Sequence, residues 1–388
     1  MLQTRIAALD LGCCIYNAAG PRTGTHEQLK MIAGSRAGAV LCKSATVEKR
    51  LGNPLPRYLE LANESGGGGT SCPTSINSEG LPNGGIDFYL SETLICDIAD
   101  ANKPYIVSIS GLKLANNLKM VAKAAATEGV AAIELNLACP NVPGKPVVAY
   151  DFEQMENILK EVFALDLHGK PLGIKLAPYF DNPHFKRVAD LINAHNVAFV
   201  VCTNTIGNGL IIDTDLEMAC IAPNDGFGGL AGGHIKYTAL ANVRKFRQLL
   251  RQDIDIVGVG GVSTGRDAFD LILCGASAVQ VGTAHKAEGP NCFDRIAKEL
   301  EDLMTTKGYE CIMDFRGKLK PFSRELAKQK LKGKGVRHRR GHRTTQGMTG
   351  VSAQHAAVLR ATIFVLLAVI IAMAVKIYSN GNSKSNHG

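Results

Sequence analysis

Through the first 320 residues, short apolar, β-branched runs alternate with longer stretches whose apolar positions recur at helical spacing. This is the pattern of repeated βα units. It predicts strands at residues 14–17, 39–43, 105–110, 131–135, 173–176, 198–202, 256–259 and 278–281. The clearest helices are predicted at 115–127, 152–163, 183–194, 239–250 and 266–273. Asp151 and Thr264 stand where two of these would be capped. Eight units is the number that closes a (β/α)8 TIM barrel, an α/β fold of ~250 residues. An open doubly wound sheet would alternate as well. The first strand lacks GxGxxG, however, and the glycines come late, which argues against a Rossmann arrangement.

The residues at the strands' C-terminal ends carry the chemistry. In Ile133-Glu134-Leu135-Asn136-Leu137-Ala138-Cys139-Pro140-Asn141, Pro140 stops a strand that is apolar apart from Glu134, because proline has no N–H for the ladder. Asn136 and Asn141 offer donors and acceptors, and the Cys139 thiol can carry a proton. The other ends are Asn17-Ala18-Ala19-Gly20, Lys43-Ser44, Ser108 to Gly111, Lys175, Thr203-Asn204-Thr205, Gly260-Gly261 and Gly282-Thr283. Mixed turn residues are the bland expectation there, and each glycine taken singly reads as a tight turn. Their joint placement on one barrel face favours a site. Ala18, Ala19 and Gly20 would let a flat ring lie against backbone. The two late glycine pairs follow the seventh and eighth strands, where backbone N–H groups of barrels often hold phosphate. A planar cofactor with a phosphate tail, FMN, fits both. Lys43 and Lys175 end apolar strands with no carboxylate beside them in sequence. A lysine at such an end is usually solvated or ion-paired; two at one mouth predict stabilisation of an anion or an anionic flavin. Between the second and third strands, residues 45–95 form an excursion of the length used for lids. The run Gly66-Gly67-Gly68-Gly69 within it reads as slack rather than a phosphate cradle, since no strand precedes it and no Lys-Ser/Thr follows.

Several motifs together resemble dihydroorotate dehydrogenase of the soluble, fumarate-using class 1A. They are Lys43-Ser44-Ala45-Thr46, the 50–57 segment Arg-Leu-Gly-Asn-Pro-Leu-Pro-Arg, the 77–83 loop Asn-Ser-Glu-Gly-Leu-Pro-Asn, and Glu134 to Asn141 with the following Val142-Pro143-Gly144-Lys145-Pro146. Asn204-Thr205-Ile206-Gly207-Asn208-Gly209, residues 238–243 and Gly260-Gly261-Val262 complete the set. The resemblance covers roughly residues 9–321. It implies oxidation of dihydroorotate to orotate on FMN, reoxidation by fumarate to succinate, a place in pyrimidine synthesis, and a homodimer. By the same resemblance Cys139 is the base that takes the C5 proton; a thiol of ordinary pKa, about 8.5, is usable at modestly alkaline pH. Lys43, Asn77, Asn136 and Asn204 match substrate-holding positions, Thr205 stands where serine is usual, and Gly80 and Leu81 would line the pocket through backbone. Ala19, Lys43, Ser44, Asn136, Lys175, Thr203, Gly232, Gly260, Gly261, Gly282 and Thr283 match flavin contacts. The chain departs from the family pattern at Glu79 (usually methionine), Ala138 (often serine), Ala231 (within a glycine run) and an insertion near 63–73.

Composition adds limits. The chain has 388 residues, 46% hydrophobic, with no Trp and only 6% aromatics, so the core is expected to be aliphatic. Eleven cysteines without CxxC or His spacing argue against a zinc site or disulfide framework and for a reducing compartment. The amino terminus shows no secretory pattern. The net charge of +8 comes from one stretch, where nine Lys and Arg between Arg324 and Arg343 face the single acid Glu325. This predicts a basic tail rather than a nucleic-acid-binding globule. The expected organisation is a catalytic domain over 1–321, a basic linker over 322–355, a single transmembrane helix over 356–378 and a polar tail over 379–388. Ala361 to Val375 is uninterrupted apolar, and with its flanks it reaches the ~20 residues of a span. The positive flank on its N-terminal side leaves the catalytic domain cytoplasmic, tethered to an intracellular membrane. Two alternatives remain at this level: the same barrel with a quinone acceptor, and a catalytically impaired membrane-tethered scaffold.

Overall fold

The computed structural model describes residues 1–61, 73–139, 147–325 and 327–328. Gly66 to Gly69, Pro140, Asn141, almost all of the basic linker and the whole of 356–388 lie outside the described residues. Among the described residues no helix is long and apolar enough to cross a membrane. The first compact unit of the chain is Met1–Lys320.

All eight predicted strands form, and they make one parallel sheet. In chain order they are Ile15–Asn17, Val40–Leu41, Tyr105–Ile109, Val130–Asn136, Leu172–Leu176, Phe199–Cys202, Asp255–Val259 and Ala278–Val281. The ladder runs first, eighth, seventh, sixth, fifth, fourth, third, second. Strands buried on both faces read as continuous apolar runs, which is why the sequence marks them. The five predicted helices appear at Leu114–Ala126, Phe152–Phe163, Asn182–Asn193, Lys236–Leu249 and Gly265–Cys274. Asp151 accepts the Gln154 N–H at 3.0 Å, and Thr264 forms a reciprocal capping box with Asp267. His26–Ala33, Glu92–Asp100 and Asn291–Lys307 are further helices, with the shorter Ile86–Tyr89 and Thr283–Glu288.

The first and second strands share no regular ladder, yet the barrel closes between them. The Gly38 N–H donates to the Ile15 carbonyl at 2.8 Å. Beyond that point the buried Asn17 side chain takes over the backbone's role. Its Nδ2 donates to the Leu41 carbonyl at 2.6 Å, and its Oδ1 accepts the Leu41 N–H at 3.0 Å. Gly38 is required at this seam, because a Cβ there would lie 1.8 Å from the Cys13 carbonyl oxygen.

The long excursion is not simply a loop. Tyr58–Leu61 and Thr74–Asn77 pair antiparallel, and Thr74–Asn77 pairs in turn with Phe227–Gly232, which pairs with Ile206–Leu210. This four-stranded sheet lies between segments that leave the second and sixth strands, so it is attached to the C-terminal face of the barrel.

Asn17→Leu should leave the Leu41 N–H and C=O without partners in a buried seam, at roughly 1–3 kcal/mol for each group. Urea unfolding of the variant should show a lower midpoint with an unchanged slope. An unchanged midpoint would mean that Gly38 alone closes the barrel.

Candidate active site

The strand ends meet in one cleft of about 1000 Å³, open solvent space included, at the C-terminal face of the barrel. Lys43, Ser44, Asn136, Cys139, Lys175, Thr203, Asn204, Thr205, Gly260, Gly261, Gly282 and Thr283 all line it, as do Ala19, Asn77, Leu81 and Gly232. Gly80 does not. Its positive φ of 70° turns its α-carbon toward Asn53, and its carbonyl accepts from Arg50 Nε at 3.3 Å.

Polar contacts fix the half-buried Cys139 from two sides. Asn136 Oδ1 accepts the Ala138 N–H at 3.1 Å, and Asn204 Nδ2 donates to the Ala138 carbonyl at 2.7 Å. Asn136 Nδ2 also donates to Ser44 Oγ at 3.0 Å, and Ser44 Oγ lies 2.9 Å from Ser108 Oγ. The two asparagines therefore hold the thiol's loop while retaining capacity for a ligand.

Two lysines stand at the mouth, and the structure corrects the expectation that no carboxylate accompanies them. Glu79, brought in by the 77–83 loop, pairs with Lys43 at 2.8 Å. Burial pushes the Glu79 carboxyl up. The Lys43 ammonium, with Arg57 and Lys286 farther off, outweighs that and holds it below its usual range. Beneath Lys175 the fully buried Glu134 accepts from Gln280 Nε2 at 2.7 Å. Burial raises Glu134, against the pull of Lys175 and the Gln280 bond. Burial likewise lowers Lys175, against the pull of Glu134 and with the push of Lys43. Both shifts run toward the neutral forms, as two ionisable groups in one apolar barrel require. Glu134 and Gln280 are the polar exceptions in otherwise apolar strands, and that was their signal in the sequence.

Sequence reasoning missed Tyr58, Ser75 and Gln280 as cleft residues. The first two come from the antiparallel sheet, whose short strands lack a clear alternating pattern. Among the described residues, Thr203 Oγ1, Thr205 Oγ1 and Gln280 Oε1 are buried without a hydrogen-bond partner. With Tyr58 Oη, four such atoms stand in one cleft, and they are expensive unless a polar ligand satisfies them. Ala18, Ala19 and Gly20 line the cleft with no side chain larger than a methyl group. Gly260 and Gly261, at φ of 128° and 72°, pass so close to the helix beginning at Lys236 that a Cβ on Gly261 would lie 2.5 Å from Lys236 Cβ. Only glycine fits there.

A family profile described as dihydroorotate dehydrogenase matches residues 1–304. The chain is 49% identical over 321 residues to dihydroorotate dehydrogenase A (fumarate) of Lactococcus lactis subsp. lactis, covering 82% of this chain and 99% of that protein. It is equally similar, by the same measures, to the protein of that name from Lactococcus lactis subsp. cremoris. The crystal structure of DHODH from Eimeria tenella in complex with ferulenol superposes with a TM-score of 0.66 at 20% identity. That match covers 81% of this chain and 88% of the other, and it shows the barrel fold.

The Lys43–Glu79 pair makes stability pH-dependent. Because the Glu79 carboxyl lies below its unfolded value, its contribution is fully present above about pH 4.5 and is lost as pH falls through the folded value. Glu79→Gln should cost about 1–3 kcal/mol at pH 7, between the values for exposed and fully buried pairs. Chemical unfolding should show that gap narrowing toward pH 3; a gap constant across this range would contradict the assignment.

Proposed function

The chain belongs to the dihydroorotate dehydrogenase family, and we propose that it oxidises (S)-dihydroorotate to orotate on FMN and passes the electrons to fumarate, in de novo pyrimidine synthesis. Family membership makes it an oxidoreductase and implies a flavin. The observation that carries the finer reading is that Cys139, Lys43, Lys175, Asn136 and Asn204 share one cleft at the barrel mouth.

The residues present fit FMN. Ala18, Ala19 and Gly20 leave room for a ring, and the unpartnered Thr203 Oγ1 and Gln280 Oε1 offer polar partners at its edge. Lys175 supplies a cation for negative charge on the ring. The backbone at Gly232, Gly260, Gly261, Gly282 and Thr283 would hold the phosphate. Bound FMN would supply the redox step, accepting two electrons from the dihydropyrimidine and later releasing them to fumarate. The protein's part is positioning and proton transfer. Lys43 counters the substrate carboxylate, Asn77, Asn136, Asn204 and Thr205 hold its ring, and Leu81 covers it. Cys139 removes the C5 proton, and the bonds to Ala138 hold the backbone that leads into it.

The partners follow from this reading. A homodimer is part of the proposal, and the exposed apolar side chains Leu210, Ile212, Leu216 and Met218 are ones that a second subunit would cover. Residues 356–378 are proposed as a C-terminal membrane helix that tethers a cytoplasmic enzyme. The support is their composition and basic flank in the sequence. A quinone acceptor is the competing enzyme reading, and the tether is what would make it convenient. The intact set of Cys139 and both lysines argues against an inactive scaffold.

Cys139→Ala should lower turnover roughly 10²–10⁴-fold with flavin retained; unchanged turnover would remove Cys139 from the role of base. Stopped-flow reoxidation should be faster with fumarate than with a soluble quinone, and the reverse order would overturn the acceptor. In cells, the full chain should resist carbonate extraction and a chain lacking residues 351–388 should not. Equal extraction of both would end the tether proposal.

A further inference from the structure

Glu79 occupies an unusual position: an acid placed inside a site that, on the reading above, takes an anionic substrate. Its carboxylate bonds Lys43 at 2.8 Å, and the two side chains are only 19% and 10% exposed. The loop that carries it is fixed. The Asn53 N–H donates to the Glu79 carbonyl and Asn53 Nδ2 to the Ser78 carbonyl, both at 2.8 Å. Leu81, two residues on, lines the same cleft. The backbone therefore cannot withdraw readily, and the side chain is the part free to turn.

The surroundings of the carboxylate are otherwise cationic or neutral. Lys43 touches it, and Arg57 and Lys286 act on it from farther away. Tyr58 lies close enough to feel its charge and carries Lys286 over its ring, 5.3 Å from the centroid. Arg50 is directed to the Gly80 carbonyl. Across the cleft stand Lys175 and Cys139.

We propose that Glu79 sets the affinity for carboxylate ligands: it is a resident carboxylate that holds Lys43 until the carboxylate of an anionic substrate displaces it. The inference rests on the dihydroorotate reading of this site. The exchange breaks one ion pair and forms another. It leaves Glu79 beside an incoming anion with only Arg57 and Lys286 as nearby counter-charges. Each carboxylate ligand is therefore bound more weakly than Lys43 alone would bind it, and the product is released more readily. That suits a site where the same face must admit first a reductant and then an oxidant, both of them carboxylates.

The exchange also couples binding to protonation. Losing Lys43 raises the Glu79 carboxyl in the complex relative to the free protein, so the complex takes up protons more readily and affinity rises as pH falls.

The test is equilibrium binding of orotate to the flavin-loaded protein, followed by the flavin absorbance change and by calorimetry, for the parent chain, Glu79→Gln and Glu79→Met. Both variants should bind orotate about tenfold more tightly or better, the equivalent of one pK unit of relief. Between pH 8 and 5 the parent's affinity should climb more steeply than that of Glu79→Gln, and calorimetry in two buffers should show less proton uptake by the variant. Variant affinities within about twofold of the parent, or weaker, with the same pH slope, would overturn the role of Glu79 while leaving the enzyme reading intact. A flavin-loaded parent chain that binds no orotate would overturn both. Either substitution failing to fold leaves the other as the test, since Glu79→Gln keeps the shape and Glu79→Met removes the polarity.

Discussion

The site depends on how the barrel closes. The first and second strands meet through the Gly38 N–H and then through a side-chain amide, Asn17, which bonds both the donor and the acceptor of Leu41. Two residues past Leu41 comes Lys43, and one residue past Asn17 begins the small-residue run Ala18-Ala19-Gly20. A single buried amide therefore sets the distance between that run and a cation. Were the seam to slip, Lys43 would no longer face the cleft that Lys175 enters from the fifth strand and Cys139 from the end of the fourth.

Charge is the second constraint. Two ammonium groups at the mouth of an apolar barrel would be costly without partners. The structure gives each an acid of different character. Glu79 lies at the rim, within reach of solvent, and is held ionised. Glu134 lies in the barrel interior, bonded to Gln280 and pushed toward its neutral form by burial. The rim acid can exchange with a ligand. The interior acid cannot, and it acts through Lys175 and Gln280.

Much of the barrel was legible because parallel strands buried on both faces have to be apolar and their C-terminal ends have to be where polar residues resume. That rule located Lys43, Asn136, Lys175 and Asn204 from local sequence. Asn17 was visible as a strand end, but not as the clasp of the barrel, since nothing local says which neighbour its amide will meet. The antiparallel sheet was missed because Phe227–Gly232 reads Phe-Gly-Gly-Leu-Ala-Gly, a glycine-rich strand with no alternation. The Lys43–Glu79 pair joins residues 36 positions apart across a segment that looked like loop. The helix His26–Ala33 had a readable start, the Thr25/Gln28 capping box, that apolar periodicity alone passes over.

The mouth of this closed barrel is proposed to hold a flavin ring, with the substrate between that ring and the Cys139 sulfur. The most direct measurement is the visible spectrum of the purified protein before and after anaerobic addition of dihydroorotate, with the mononucleotide recovered afterwards by denaturation. The account predicts a yellow protein that bleaches on addition and releases FMN. A colourless protein that takes up no FMN on incubation, or a yellow one whose colour dihydroorotate leaves unchanged, would contradict it.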